Sequence, residues 1–178
     1  MKVFIVVSLF SYLGFMANTH ILYDFTHESH ADWKIVNDGV MGGLSNGTFS
    51  VDENGYGIFS GKVSLANNGG FTSIRHAVDY DLSKSDHKIV LKLKGDGKRY
   101  QFRIKQNIQD RHSYIQYFQT NNSWQEIELD LNDFYASWRG QKLELPNFEA
   151  QTIEECSFLI ANNKEEDFCL ILDYIAIK

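Results

Sequence analysis

The chain has 178 residues, 14% of them aromatic, and a formal net charge of −6 at pH 7. The length favours one domain with enough material for a core, and the aromatic content with a single proline argues against disorder. The acidic balance provides no overall basic field for a nucleic-acid backbone, so the sequence predicts no nucleic-acid partner.

Residues 1–17 differ in composition from the rest of the chain. Lys2 precedes a run from Val3 to Met16 that is apolar apart from two serines and one glycine. The run is shorter than the roughly 20 residues of a membrane span, and a positive charge before a short apolar run is typical of a secretory signal peptide. The sequence therefore predicts export. The alternative is a misassigned start, with a cytoplasmic protein beginning at Met16.

Short segments of alternating apolar and polar residues, separated by turns, follow this leader. No window carries a sustained helical stripe. The spacing predicts an all-β fold, an antiparallel jelly-roll β-sandwich in a single domain over residues 21–178. In chain order the predicted strands are Ile21–Phe25, Thr48–Val51, Tyr56–Ala66, Phe71–Arg75, Lys88–Lys94, Tyr100–Lys105, Ser113–Thr120, Trp124–Leu131, Cys156–Ala161 and Phe168–Ile177.

Two turns are predicted to close hairpins. Gly95-Asp96-Gly97 follows Lys88–Lys94, and the charged turn Asn162–Asp167 separates the last two strands. The second hairpin holds Cys156 and Cys169 about 16 Å apart along the sheet, too far for a disulfide, so both cysteines are predicted to stay free. Asn132–Phe148 is predicted to be irregular.

The stretch Asn37–Gly47 contains four glycines and an apolar pair that no strand pattern accommodates. Glycine suits positive φ and close backbone approach, and Asp or Ser side chains bond neighbouring N–H groups in turns. The stretch lacks the lysine of a phosphate-binding loop. It is either a plain connection or an ordered loop that offers its apolar pair to a cavity or partner. The predicted contact residues are Asp38, Val40, Met41, Gly42, Gly43 and Ser45.

Three arginines, Arg75, Arg103 and Arg139, lie on strands or loops that a sandwich can bring to one end. With Asp38 and Asp96 they form a candidate polar pocket for a sugar or a carboxylate, since Arg binds planar anions through a rigid fork. The alternative is a structural network, including a buried Arg75–Asp38 pair. Aromatic residues are candidates for ring stacking or for ordinary packing: Tyr100, Trp124, Tyr135 and Trp138.

Catalytic and metal-binding patterns are missing from the sequence. The six histidines are scattered, no Gly-x-Ser-x-Gly motif is present, and the two cysteines have no zinc-site spacing. The sequence therefore predicts no catalytic residue, no metal and no cofactor.

The order of motifs resembles that of the complex I intermediate-associated protein 30 family. The matching motifs are Trp33, Asn37–Ser45, Gly69–Arg75, Gly95–Tyr100, Trp124, Arg139-Gly140 and Phe168–Ile177. The resemblance covers residues 21–178 and implies a galactose-binding-like β-sandwich. For mitochondrial members it also implies a non-enzymatic assembly chaperone for respiratory complex I.

The resemblance leads to two functional hypotheses. The first is a non-enzymatic assembly factor that contacts a protein partner, such as a subunit of a membrane complex. The second is an extracytoplasmic carbohydrate-binding module with the same fold, because fold alone does not fix function. The predicted leader does not fit the assembly role that the resemblance implies for mitochondrial members, because an exported protein meets different partners.

Overall fold

Two antiparallel β-sheets stack face to face in the computed structural model, which describes residues 19–27 and 30–178. The predicted signal peptide, residues 1–17, lies outside the described residues. Within the described part of the chain, no helix has the length and apolar character needed to cross a membrane.

Thirteen strands and four short 3-10 helices form the regular structure of the described residues. The strands are β1 His20–Asp24, β2 Lys34–Asn37, β3 Asn46–Val51, β4 Gly57–Val63, β5 Thr72–Asp81, β6 Lys88–Lys94, β7 Arg99–Lys105, β8 Ser113–Gln119, β9 Trp124–Asp130, β10 Tyr135–Trp138, β11 Gln141–Lys142, β12 Thr152–Ile160 and β13 Glu166–Ile177. The 3-10 helices are His30–Asp32, Asp38–Met41, Ala66–Asn68 and Leu131–Asp133.

The strands divide between a six-stranded and a seven-stranded sheet. The six-stranded sheet has the order β3-β4-β13-β6-β9, and β1 also pairs with β13. The long strand β13 has β6 on one side and, in succession, β4 and β1 on the other. The seven-stranded sheet has the order β11-β10-β8-β7-β12-β5-β2.

Apolar side chains from the inner faces of both sheets form the core. In β7 the predicted inward residues Tyr100, Phe102 and Ile104 are buried, as the period of two requires. Phe102 packs edge-on against Phe158 of β12, with ring centroids 5.0 Å apart. Burial of each such side chain contributes about 1.5–3 kcal/mol, so this aromatic core is the main source of stability.

Both predicted hairpins are wrong, because each turn carries the chain from one sheet to the other. β6 and β13 belong to the six-stranded sheet, whereas β7 and β12 belong to the seven-stranded sheet. Cys156 is buried and Cys169 half-buried, and both are free thiols. The segment predicted to be irregular contains β10 and β11.

Asp96 lies in the turn between β6 and β7, where the chain passes from one sheet to the other, and it bonds to both sheets. Its carboxylate accepts hydrogen bonds from the Tyr100 hydroxyl at 2.9 Å, the Lys98 ammonium at 2.7 Å and the Cys169 N–H at 2.9 Å. Tyr100 lies on one sheet and Cys169 on the other. Burial alone raises the pKa of Asp96, but these hydrogen bonds hold it below its usual range, so the carboxylate ties the two sheets together.

Candidate functional site

The outer face of the seven-stranded sheet contains a cleft with a volume of about 660 Å³. Because Phe102 and Phe158 face the core, their strand neighbours point the other way, into the cleft. The cleft crosses six strands, with Val36 of β2 at one end and Trp138 of β10 at the other. Its lining includes Arg75 on β5, Leu159 on β12, and Gln101 and Arg103 on β7.

Every charged residue among the described residues that line this cleft is cationic. They are Arg75, Arg103, Lys105, Arg111 and Arg139. The whole chain has a net charge of −6, so the composition gave no sign of this concentration. The expectation that the protein lacks a basic field is therefore wrong locally. A concave surface lined by one sign of charge concentrates ligands of the opposite sign.

Cross-strand register places the central arginines in one row. Ser157 of β12 pairs with Arg75 of β5 on one side and with Arg103 of β7 on the other. Neighbouring strands lie about 4.8 Å apart, so the two arginine backbones are roughly 10 Å apart. Ser157 between them has a small side chain and is buried, so the register puts one arginine on each side of it.

Arg103 has no ion pair or hydrogen bond among the described residues, and its Nε is buried without a partner. Burial, followed by repulsion from Arg75, lowers the pKa of Arg103 to about 10. Lys105 is different, because its ammonium donates to the carbonyls of Ile108 and Asp110 and lies 3.8 Å from Glu155. Glu155 favours the charged form of Arg103 without forming an ion pair with it, so the centre of the cleft carries positive charge with no close counter-ion among the described residues.

A tight turn presents an aromatic ring at the rim of the cleft. Arg139 and Gly140 join β10 to β11 with φ values of 50° and 77°. Positive φ at both positions is typical of two-residue hairpin turns, and it is unusual for arginine. The Arg139 guanidinium lies 4.9 Å from the centroid of the Trp138 ring, which is 40% exposed. This pair forms a platform beside the central arginines.

Asp38 holds the opposite wall of the cleft. It is 1% exposed and accepts hydrogen bonds from the N–H groups of Ser45, Gly70 and Phe71 at 3.0, 2.7 and 3.3 Å. Burial raises the pKa of Asp38, but hydrogen bonds from Ser45, Gly70 and Phe71 hold it below its usual range. Since Gly70 and Phe71 line the cleft, Asp38 positions its wall.

The glycine loop around Asp38 is ordered by several further contacts. The Ser45 hydroxyl donates to the Ser64 carbonyl and accepts from the Ser64 N–H. Gly42 has a φ of 83°, as predicted. Gly43 is required for a different reason, because a Cβ there would lie 2.3 Å from the Asp38 Cγ. The side chains of Val40 and Met41 lie outside the described part of the structure.

The structure brings together some of the predicted site residues and separates others. The three arginines converge, but Asp38 and Asp96 are bonded elsewhere, and the proposed Arg75–Asp38 ion pair does not form among the described residues. Asp38 is satisfied by backbone N–H donors, and Asp96 has Lys98 as its cationic partner, so neither carboxylate pairs with the three arginines.

The four predicted stacking aromatics occupy different environments. Tyr100 belongs to the core, and Trp124 packs against Tyr56 on the six-stranded sheet with ring centroids 4.8 Å apart. Trp138 lines the cleft, and Tyr135 pairs with Ile115, which pairs with Arg103. Of these four aromatic residues, only Trp138 lines the cleft, and Phe71 adds a partly exposed ring on the opposite wall.

The sequence reasoning missed several residues of the cleft lining, among them Gln101, Lys105 and Arg111. Gln101 and Lys105 share the polar face of β7 with Arg103, so the alternation of that strand would have identified them. Arg111 lies in a loop, where no periodicity marks it. Among the described residues, no group of three or more His, Cys, Asp or Glu side chains is arranged to hold a metal.

A second depression, of about 430 Å³, lies near Leu82 and Phe148. Its one buried carboxylate, Asp86, already accepts hydrogen bonds from the Ser83 N–H at 2.8 Å and the Tyr80 hydroxyl at 3.2 Å. Because these donors satisfy the carboxylate, the depression offers less binding chemistry than the cleft.

A family model described as complex I intermediate-associated protein 30 matches residues 23–172. The chain belongs to the complex I intermediate-associated protein 30 family. The matched range contains Asp38, the three arginines and Asp96, so the cleft and its supporting loop lie within the family domain. The family predicted from the motifs is confirmed.

Solved structures with this fold include several carbohydrate-binding modules. The chain is similar to a family 11 module from Clostridium thermocellum in complex with a β-1,3-1,4-mixed-linked tetrasaccharide, with 18% identity, a TM-score of 0.67, and coverage of 89% of this chain and 94% of that one. A family 29 module has 9% identity, a TM-score of 0.55, and coverage of 90% and 85%.

An exo-β-agarase also contains a similar domain, with 12% identity and a TM-score of 0.55. The match covers 89% of this chain and 25% of the agarase chain. Together these likenesses confirm the jelly-roll, galactose-binding-like β-sandwich that the sequence predicted for this family member.

Proposed function

We propose that this protein is a non-enzymatic binding domain that holds an extended ligand along the cleft of the seven-stranded sheet. The observation that carries the proposal is the row of unneutralised guanidinium ions across the cleft, beside an exposed tryptophan. Arg75, Arg103 and Trp138 are oriented for binding, and no nucleophile or acid–base pair accompanies them.

Family membership supports an assembly role with a protein partner. The family is described by its association with complex I intermediates, and an assembly factor acts through contacts with other chains. The partner we propose is a subunit of a membrane complex. With a cleaved leader the protein works outside the cytoplasm, and with a later start at Met16 it works inside.

The cleft itself favours a carbohydrate ligand. Trp138 offers a half-exposed ring at the rim, and sugar rings stack on such surfaces. Gln101 and Ser137 add hydrogen-bonding groups on the floor and wall. The likeness to carbohydrate-binding modules supports this candidate through the fold alone.

Two tryptophans provide a matched test of the cleft. Trp138 lies in the cleft and Trp124 on the opposite sheet, and both are 40% exposed. Immobilised wild-type protein, Trp138→Ala and Trp124→Ala are each incubated with extract of the native organism and, separately, with a glycan array. Captured proteins and glycans are then compared. We expect Trp138→Ala alone to lose the specifically captured ligand.

The two readouts distinguish the candidates. Loss of a captured protein by Trp138→Ala supports the assembly role, and loss of a glycan signal supports the carbohydrate role. Equal capture by both variants and the wild-type protein would show that the ligand binds elsewhere, and the cleft proposal would then be wrong.

A further inference from the structure

The unneutralised charge at the centre of the cleft is the feature that the general proposal leaves unexplained. Arg103 is partly buried, its Nε is buried without a partner, and Arg75 is a like-charged neighbour across Ser157. A buried charge without a counter-ion is destabilising, and two like charges add repulsion. Such an arrangement persists where a ligand supplies the missing charge, as strain and unpaired groups concentrate at functional sites.

The acidic residues of the protein do not provide that charge. Asp38 and Asp96 are held by N–H, hydroxyl and ammonium donors away from the guanidinium ions. Glu155 lies next to Lys105, at 3.8 Å. Glu155 also favours the charged form of Arg103, but among the described residues neither Arg75 nor Arg103 makes an ion pair with it or with any other carboxylate.

We propose that Arg75 and Arg103 form an oxyanion subsite that selects an acidic carbohydrate chain, one bearing carboxylate or sulfate groups. This inference rests on the proposed binding function of the cleft. A guanidinium fork matches the two oxygens of a carboxylate or sulfate, and a group seated above Ser157 lies between two such forks. Arg111 and Arg139 extend the positive surface to further acidic groups of the same chain.

The surroundings favour a carbohydrate over an acidic peptide or a nucleic acid. β12, β7 and β8 lie inside the sheet, so their backbone groups are already paired and cannot add a peptide strand. A nucleic acid requires a series of aromatic platforms for successive bases, whereas the aromatic residues of the described cleft lining are Trp138 at one end and Phe71 on the opposite wall. Amide and hydroxyl groups, such as those of Gln101 and Ser113, suit the hydroxyls of a sugar chain.

Neutralised ligands of the same shape provide the direct test. Isothermal titration calorimetry measures binding of (1→4)-linked oligogalacturonate and of its full methyl ester, which keeps the chain and removes the charge. Dextran sulfate and dextran form the matching sulfated pair. We expect at least one acidic probe to bind about tenfold or more tightly than its neutral partner, the difference that one charge-assisted hydrogen bond supplies.

Charge-removing variants locate the subsite. Arg103→Gln and Arg75→Gln are each expected to lose about tenfold in affinity for the acidic probe and little for the neutral one. The control is Lys62→Gln, which removes one positive charge from an exposed position on the six-stranded sheet. We expect it to stay within about twofold of the wild-type protein, because a distant exposed charge is screened by salt.

Melting temperatures separate a ligand site from a structural network. Removing either arginine relieves the repulsion between two partly buried like charges, so Arg75→Gln and Arg103→Gln should melt at or above the wild-type temperature. The inference is overturned if both glutamine variants melt below the wild-type temperature while Arg103→Lys keeps the wild-type melting temperature and binding is unaffected. The arginines are then structural.

The remaining outcomes also decide the question. If neutral and acidic probes bind alike and Trp138→Ala still abolishes binding, the cleft proposal stands and the anionic subsite is wrong. If oligoglutamate or a single-stranded oligonucleotide binds more tightly than both acidic carbohydrates, the ligand class is wrong. If no probe binds and Trp138→Ala captures the same ligands as the wild-type protein, both proposals fail.

Discussion

Three glycines of the loop at residues 38–43 differ in what a methyl group would contact, so alanine variants test how the cleft wall is held. At Gly43 the added Cβ would lie 2.3 Å from the Cγ and Oδ1 atoms of Asp38, and the buried carboxylate would have to move. At Gly42 the space is open, but φ is 83°. At Gly39 no heavy atom lies within 4 Å.

The expected losses follow from these contacts. Asp38 accepts three backbone hydrogen bonds, and each bond to a charged group contributes about 1.5–3 kcal/mol, so losing one or two costs about 2–5 kcal/mol. Left-handed backbone at Gly42 costs alanine about 1 kcal/mol. Gly39→Ala should change the free energy of unfolding by about 0.5 kcal/mol or less.

Thermal unfolding followed by circular dichroism measures the series. At about 2–4 °C per kcal/mol, Gly43→Ala should melt about 5–15 °C lower than the wild-type protein and Gly42→Ala about 2–4 °C lower. In an Asp38→Ala background, the Gly43→Ala effect should shrink, because the clashing carboxylate is gone. Equal melting temperatures for Gly43→Ala and Gly39→Ala would refute the reasoning and leave the loop a passive connection.

Two further predictions concern titration and thiols. The folded-state pKa of Asp38 lies below its ordinary value of 3.8. The ionised carboxylate therefore stabilises the fold above pH 3.8, and this stabilisation is lost as the pH falls through the folded-state pKa. In urea unfolding, the wild-type protein should lose stability below that pH, and Asp38→Asn should lose less. Equal acid sensitivity of the two proteins would contradict the prediction. Thiol alkylation of the unfolded, unreduced protein should label both Cys156 and Cys169, and a monomer with neither labelled would contradict the free thiols.

Side-chain alternation predicted most strands, because each sheet buries one face on a common core. It identified β6 and β7 and the inward positions of Phe102 and Ile104. It could not assign strands to sheets. The sequence Gly95-Asp96-Gly97 is compatible both with a hairpin within one sheet and with a connection between the two sheets. The tertiary contacts of Asp96, which the sequence does not show, favour the connection between sheets.

The candidate site was predicted in part. The convergence of Arg75, Arg103 and Arg139 was predicted, but their assumed acidic partners were wrong, since sequence patterns do not show that a buried carboxylate is satisfied by backbone N–H groups. The sequence could not tell which glycine of the loop has positive φ and which lies in close contact: Gly42 has positive φ, whereas a Cβ at Gly43 would clash with Asp38. β10, which carries Trp138, was missed because four residues are too few to display a period.

The position of β13 has a consequence for biosynthesis. Residues 166–177 supply the only links among β1, the β3–β4 ladder and the β6–β9 ladder within the six-stranded sheet of the described chain. Until the ribosome has made them, the other strands of the six-stranded sheet can pair only as β3–β4 and β6–β9, and isolated two-stranded ladders are marginally stable in water. Their apolar faces and open edges must be protected during that interval. Premature termination within β13 should therefore give an insoluble, rapidly degraded product rather than a slightly shortened domain.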